Sequence, residues 1–359
     1  MRQEQNRREI DKLYILGAGC SYSLSSSLST NGMTKTTTPL DYNFLEHLQE
    51  FTDRNAWVAN SIGHIKRNWM DELKLNNHGL EEAIIKRIGQ YDFLSKLHPQ
   101  KTIKKSSNAD YVDHLSHLIS KFLLKCKANT RDRHKKFIDH AFPRSQTPSD
   151  LDNRIITFNY DTILDEVLLD RATLTQRQIY FDRLLKEEND NSLRRSNQKF
   201  SHPLLLKLHG SINWNVNTNY FKKIIENPSD INPDEKEPIW INRKKTPSPT
   251  DNVSPLIIPP LPNKPITQVG IFNYLWTTAY EYLHDAKELI IVGYSCPQTD
   301  GIAHAMFSHF TNKNIERVVI IDPDANMLSK YRGLFKSSVS KGIRWQYYEN
   351  FQEYVDDEC

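Results

Sequence analysis

Residues 12–21 read KLYILGAGCS. The apolar run from Lys12 to Leu16 stops at Gly17-Ala18-Gly19-Cys20-Ser21, the pattern of a buried strand followed by a glycine turn. Outward from it lie four more short runs: Arg154 to Phe158 (RIITF), Leu204 to Leu208 (LLLKL), Leu289 to Val292 (LIIV) and Val318 to Ile321 (VVII). Runs without polar alternation suit strands buried on both faces, which is the condition of a parallel sheet. Helical patterning at Asp161 to Leu169 and Leu275 to Ala286 separates them. The alternation predicts an α/β fold: a doubly wound, Rossmann-like parallel sheet.

Between the first strand and the second the character changes. Leu45, Leu48 and Phe51 recur at helical spacing, as do Leu80, Ile84, Ile85 and Ile88, and then Leu115, Leu118, Ile119 and Phe122. We read an inserted α-helical block and three segments of chain: 1–38, the N-terminal arm, first strand and glycine loop; 39–150, the helical block; 151–359, the rest of the sheet domain. Residues 142–153 read as a linker. Residues 226–255, rich in Pro, Asp and Lys, read as a surface excursion ahead of the proline cluster Pro259, Pro260 and Pro262.

The chain has 359 residues, 38% hydrophobic and 25% charged, which suits a globular protein with a substantial core. No run of about 18 apolar residues suggests a membrane span, and the charged start, MRQEQNRREIDK, does not read as a secretory signal. Cys20, Cys126, Cys296 and Cys359 show no ligand spacing, so neither a zinc site nor a disulfide scaffold is expected, and a cytoplasmic location is. Asp113, His114 and His117 read as ordinary helix-surface residues. A net charge of +3 gives no reason to expect direct nucleic-acid binding. The basic clusters Lys101 to Lys105, Arg131 to Lys136 and Arg243 to Lys245 read as solvated loops.

Ligands of open parallel sheets bind at the carboxyl ends of strands, and there the sequence places its chemistry. Gly17, Ala18, Gly19 and Ser21 follow the first run. Thr157-Phe158-Asn159-Tyr160-Asp161 ends the second. His209-Gly210-Ser211 ends the third. Gly293-Tyr294-Ser295, with Asp300 beyond, follows the fourth, and Asp322 the fifth. The glycines allow a backbone to approach a pyrophosphate, and an acid such as Asp322 accepts hydrogen bonds from ribose hydroxyls. Asn159 offers an amide to a ribose hydroxyl or a water. His209 offers an imidazole, whose ordinary pKa near 6.5 suits a general base.

The motifs GAGCS, TFNYD, KLHGS, IIPPLPNK and GYSCPQTD, in this order, resemble the sirtuin-like superfamily, in particular its zinc-free prokaryotic branch of antiphage-defence NAD hydrolases. The resemblance covers residues 12–21 and about 154–325. It implies a sirtuin-type sheet and an enzyme that cleaves NAD to nicotinamide and ADP-ribose, with NAD as substrate and no separate cofactor or metal. It implies Asn159 and His209 as catalytic residues. Gly17, Ala18, Gly19, Ser21, Thr157, Asp161, Gly210, Ser211, Gly293, Ser295 and Asp322 would bind the nucleotide, with Asp161 at the nicotinamide carboxamide. It further implies an NAD-depleting effector that forms a homo-oligomer and is gated by assembly or by a partner such as a HerA-type ATPase. Protein-deacylating sirtuins carry Thr-Gln-Asn-Ile-Asp and a four-cysteine zinc module. Here Phe158 stands in place of the glutamine and the zinc module is missing, which disfavours deacylation. The alternative is a non-catalytic sensor or scaffold that binds NAD or ADP-ribose.

Overall fold

The computed structural model describes residues 10–23, 108–125, 131–143, 152–170, 179–180, 203–227, 239–241, 252–258, 269–298, 300–312, 314–335 and 342–358. Its centre is a parallel six-stranded sheet. The strands are β1 (Ile10–Leu16), β2 (Arg154–Thr157), β3 (Leu205–Lys207), β7 (Ala286–Val292), β8 (Arg317–Ile321) and β9 (Arg344–Tyr348). Across the sheet they run β3-β2-β1-β7-β8-β9. Leu16 is in register with Thr157 on one side and Val292 on the other. The order therefore reverses at β1, the topological switch point at which doubly wound sheets open a ligand crevice. The expected Rossmann-like architecture is what the chain adopts.

The aliphatic runs are buried as their composition demands. Leu13, Ile15, Ile155, Ile156, Leu206, Leu289, Ile290, Val318 and Val319 are all inaccessible to solvent. Burial of each such side chain contributes about 1.5–3 kcal/mol, so these strands carry much of the core. Helices cover the sheet. Helix α6 (Gly270–Asp285) packs along β1, β3 and β7. It begins five residues ahead of its expected start. Helices α3 (Arg131–Ala141) and α9 (Phe351–Glu358) meet beside β1, where Phe137 packs edge-on against the Tyr14 ring at 5.2 Å and against Phe351 at 5.3 Å. The other helices are α1 (Ala18–Ser23), α2 (Asn108–Lys125), α4 (Ile163–Asp170), α5 (Thr218–Glu226), α7 (Gly301–Ser308) and α8 (Asn326–Leu334). None among the described residues is long and apolar enough to cross a membrane.

Three expectations need correction. The stretch 226–255 is not only a surface excursion. It carries β5 (Trp240–Ile241) and the start of β6 (Val253–Ile257), which flank β4 (Gly210–Asn217) in a second, antiparallel sheet of order β5-β4-β6. In β4 Ile212, Trp214 and Val216 face the core, and only Asn213 and Asn217 are partly exposed. Arg131 to Lys136 is no loop but the first half of α3. Asp113 and His117 are buried, at 5% and 3% exposure, on α2, which packs against α5 and β6; only His114 of the trio is exposed. Residues 39–107, most of the expected helical block, lie outside the described residues; α2 and α3 are its described helices.

Charges are buried in pairs. Lys207 of β3 meets Asp165 of α4 at 3.0 Å, both 1% exposed. Burial raises the Asp165 carboxyl above its usual range, and Lys207 works against that rise. At the amino ends of the strands, Lys12 and Arg317 meet both Glu288 of β7 and Glu358 of the last helix. Lys12 lies 3.2 Å from Glu358, and Arg317 lies 3.4 Å from Glu288.

Candidate functional site

Where β1 and β7 end, their loops pass in contact. The amide of Gly17 donates to the carbonyl of Val292 at 3.1 Å, and that of Gly19 to Gly293 at 2.9 Å. A Cβ on Gly17 would stand 2.5 Å from the Gly293 carbonyl oxygen, and one on Gly293 would stand 2.2 Å from the Cys20 amide. Gly293 also has φ +58°. The glycines are thus required by the approach of two loops. The amides of Gly17 and Gly19 are committed to that contact, that of Gly293 donates to the Ile321 carbonyl of β8 at 2.9 Å, and Ala18 of the turn is exposed.

β2 is tied to the same turn. The Thr157 hydroxyl donates to the Leu16 carbonyl at 3.2 Å, and the Asn159 amide donates back to that hydroxyl at 3.1 Å. The Asn159 side-chain Nδ2 donates to the Gly17 carbonyl at 2.9 Å. Asp161 accepts from the Ile163 amide at 3.0 Å, capping the first turn of α4.

His209 leaves β3 and opens β4. Its carbonyl accepts from the Ile258 amide at 2.8 Å, which holds the end of β6 beside it. Its ring is 7% exposed as a residue, and Nε2 lies 3.2 Å from Asp300 Oδ2. Three aromatic rings surround the imidazole: Phe158 at 5.3 Å, Trp276 at 6.0 Å and Tyr160 at 6.1 Å. Trp276 is pinned by a bond from its indole to the Leu208 carbonyl at 3.1 Å, and Tyr160 by one from its hydroxyl to the Ile258 carbonyl at 2.7 Å. Phe158 stacks flat on Tyr294, 3.8 Å away. The Tyr294 hydroxyl donates to Asp300 Oδ2 at 3.2 Å. Burial first, then the charge of Asp300, raises that phenol far above the usual tyrosine value, so it stays a donor.

The structure brings Gly17, Thr157 and Asn159 into one hydrogen-bonded group, and places Gly19 against Gly293. Gly210 and Ser211 belong to β4. Gly210 has φ +81° and no room for a side chain beside the Leu256 carbonyl; Ser211 is fully buried, with its hydroxyl 3.4 Å from the Tyr160 carbonyl. Both support the site from behind. Ser295 is exposed, and its carbonyl accepts from Lys330 at 2.6 Å. Asp322 stands one strand beyond β7. Burial raises its carboxyl, one oxygen of which accepts from the Asp324 amide at 2.9 Å. The side chain of Ser21, the proline cluster and Lys264 fall outside the described residues.

The partners of His209 were not legible as such. Asp300 and Tyr294 stand in the GYSCPQTD motif, but nothing in their spacing points to a histidine on another strand. Trp276 sits in an ordinary amphipathic helix. Neither buried cysteine is a nucleophile: burial raises both thiols, that of Cys296 to about 12. Among the described residues no cluster of three or more His, Cys, Asp or Glu could hold a metal ion.

Fold and site together define an α/β protein of Rossmann strand order, with a buried histidine–carboxylate pair at the carboxyl end of its sheet. No protein-family model matches the chain, and no curated protein does either. Among solved structures, a Sir2 homologue determined in complex with NAD is similar at 10% identity, over 98% of this chain and 88% of that one, with a TM-score of 0.39.

Proposed function

We propose that the chain binds NAD across the switch point of its sheet and hydrolyses the bond between nicotinamide and ribose. The observation that carries this reading is the His209–Asp300 pair, 3.2 Å apart and walled by aromatic rings, on the same flank of the sheet as Asn159. Asp322 stands on the opposite flank, with the glycine turn between. Two polar flanks with a glycine turn between them suit the two nucleosides and the pyrophosphate of a dinucleotide.

Nicotinamide is a good leaving group, so the reaction calls for no acid. As the C1′–N bond breaks, its electron pair leaves with the nicotinamide and positive charge develops on the ribose, as in other glycoside hydrolyses. Water then bonds to C1′, and its proton passes to His209. The chain's own part is to hold the ribose, orient the water and accept that proton. Asn159 holds the glycine turn at the ribose side, and the aromatic rings exclude bulk water from the imidazole.

The resemblance of the five motifs supports reading the chain as an NAD-depleting effector of bacterial antiphage defence that works in the cytoplasm. Its homo-oligomer would be gated by assembly or by a HerA-type ATPase. An amphipathic block between the glycine turn and β2 is suited to such control, because a shift in its packing would reach both. Incubation of the purified chain with NAD, with chromatography of the products, tests the reading. Equal amounts of nicotinamide and ADP-ribose are expected. Binding of ADP-ribose without any turnover, at all protein concentrations and with partner present, would replace it with the sensor reading.

A further inference from the structure

Asp300 occupies the N-cap position of α7, where an aspartate ordinarily accepts a hydrogen bond from the first turn. Its side chain makes no capping bond. The carboxylate turns instead into the core, 2% exposed, where Oδ2 meets His209 Nε2 and the Tyr294 hydroxyl, each at 3.2 Å. Tyr294 is in turn held by the Phe158 stack and by a 2.6 Å bond from the Tyr331 hydroxyl to its carbonyl. A capping residue that gives up its cap to face a histidine on the far side of β1 is placed for that histidine.

We propose that Asp300 is the positioning residue of the active site: it holds neutral His209 in the tautomer with hydrogen on Nε2. This deepens the hydrolase reading and rests on it. In a neutral imidazole one nitrogen donates and the other accepts. A carboxylate at Nε2 fixes the hydrogen there, so the proton-accepting lone pair lies on Nδ1. Tyr294 supports the arrangement from behind, because a phenol that stays protonated donates to the same carboxylate oxygen and keeps it aimed. The logic is that of any carboxylate that orients a general base through its second nitrogen.

The test is nitrogen NMR of the full chain with labelled histidine, the His209 signals being assigned by their loss in His209→Gln. Wild type is expected to carry hydrogen on Nε2. Asp300→Asn is expected to lose that preference and to lower kcat for NAD on the order of a hundredfold, with KM and ADP-ribose affinity within about threefold. A merely structural role would lower both together with the folded fraction, and would not alter the tautomer of the molecules that remain folded. Tyr294→Phe, which keeps the ring stack, is expected to lower kcat by roughly tenfold or less. Hydrogen on Nδ1 in wild type, or Asp300→Asn with kcat within threefold, overturns the proposal. If Asp300→Asn does not fold, the wild-type tautomer decides. A wild type that binds NAD without cleaving it overturns the hydrolase reading, while the tautomer still reports on Asp300.

Discussion

The side chain of Asn159 and the backbone carbonyl of Gly17 are joined by a 2.9 Å hydrogen bond that crosses from the end of β2 to the end of β1. The same two strand ends share a second link through Thr157, whose hydroxyl donates to Leu16 at 3.2 Å. The carboxyl end of β1 is therefore braced from β2, and the brace fixes where the glycine turn stands relative to the end of β2.

Asn159→Asp tests this bracing with almost no change of shape. An ionised carboxylate cannot donate, and it would face the lone pairs of the Gly17 carbonyl. NAD turnover is expected to fall on the order of a hundredfold or more, and stability by about 1 kcal/mol, the worth of one hydrogen bond. Asn159→Ala should give the same kinetic loss. Steady-state kinetics and urea unfolding measure the two effects; turnover within threefold of wild type in both variants would remove Asn159 from the catalytic group.

Gly293→Ala should fail for steric reasons. Its φ of +58° disfavours any side chain, and the added carbon would stand 2.2 Å from the Cys20 amide, which is backbone and cannot swing away. Left-handed strain and overpacking together are expected to cost about 3 kcal/mol. Gly333→Ala, in α8, meets nothing within 4 Å and serves as a control. Equal urea midpoints for the two variants would show that the β1 and β7 loops are not locked together.

The contrast between these glycines marks what the sequence carries. Gly17, Gly19 and Gly293 stand out after apolar runs, and the runs themselves announce β1, β2, β7 and β8, because strands buried on both faces must be aliphatic throughout. The glycines read as a cradle for pyrophosphate; in the fold the amides of Gly17 and Gly19 serve the contact between the two loops, and that of Gly293 donates to Ile321 of β8. β9 escaped notice because its residues, RWQYY, lie at an edge with none of them fully buried. β4 was legible in principle from Ile212, Trp214 and Val216, but the His209-Gly210-Ser211 motif at its start masked the alternation. The pairing of His209 with Asp300 is purely tertiary: it exists only because β3 and β7 end on the same side of the sheet.

The charged cluster at the other end of the strands predicts a pH dependence of stability. Burial works to raise the Glu358 carboxyl, but hydrogen bonds from Arg317 and Lys12 outweigh it and hold the group below its usual value. A carboxyl depressed in the folded state adds stability that is present above its unfolded pKa, near 4.3 for a glutamate. That stability is lost as pH falls through the lower folded value. Glu358→Gln should therefore be less stable than wild type at pH 7, and the two should converge as pH falls below the ordinary glutamate range and through the depressed folded value. A difference that stays constant from pH 7 to pH 3 would show that the cluster contributes through packing alone.

His209→Ala bears most directly on the chemistry. The imidazole is walled by Phe158, Tyr160 and Trp276, whose positions are fixed by their own hydrogen bonds and ring stacking. Those rings should stay in place when it is removed, leaving a space the size of an imidazole beside Asp300. If His209 accepts the proton of the attacking water, wild-type turnover should rise with pH through the imidazole range and then level off. The alanine variant should lose on the order of a hundredfold or more in kcat, and the rising limb should vanish, since no group of that pKa would remain in the step. ADP-ribose affinity should change by less than about threefold, because the loss lies in the transition state. Imidazole added to the solution should recover part of the rate in His209→Ala, with a pH dependence set by the added base, and should do nothing for Asn159→Ala. An alanine variant that keeps the wild-type limb would show that some other group takes the proton. His209 would then be a wall of the pocket, with Asp300 its structural anchor.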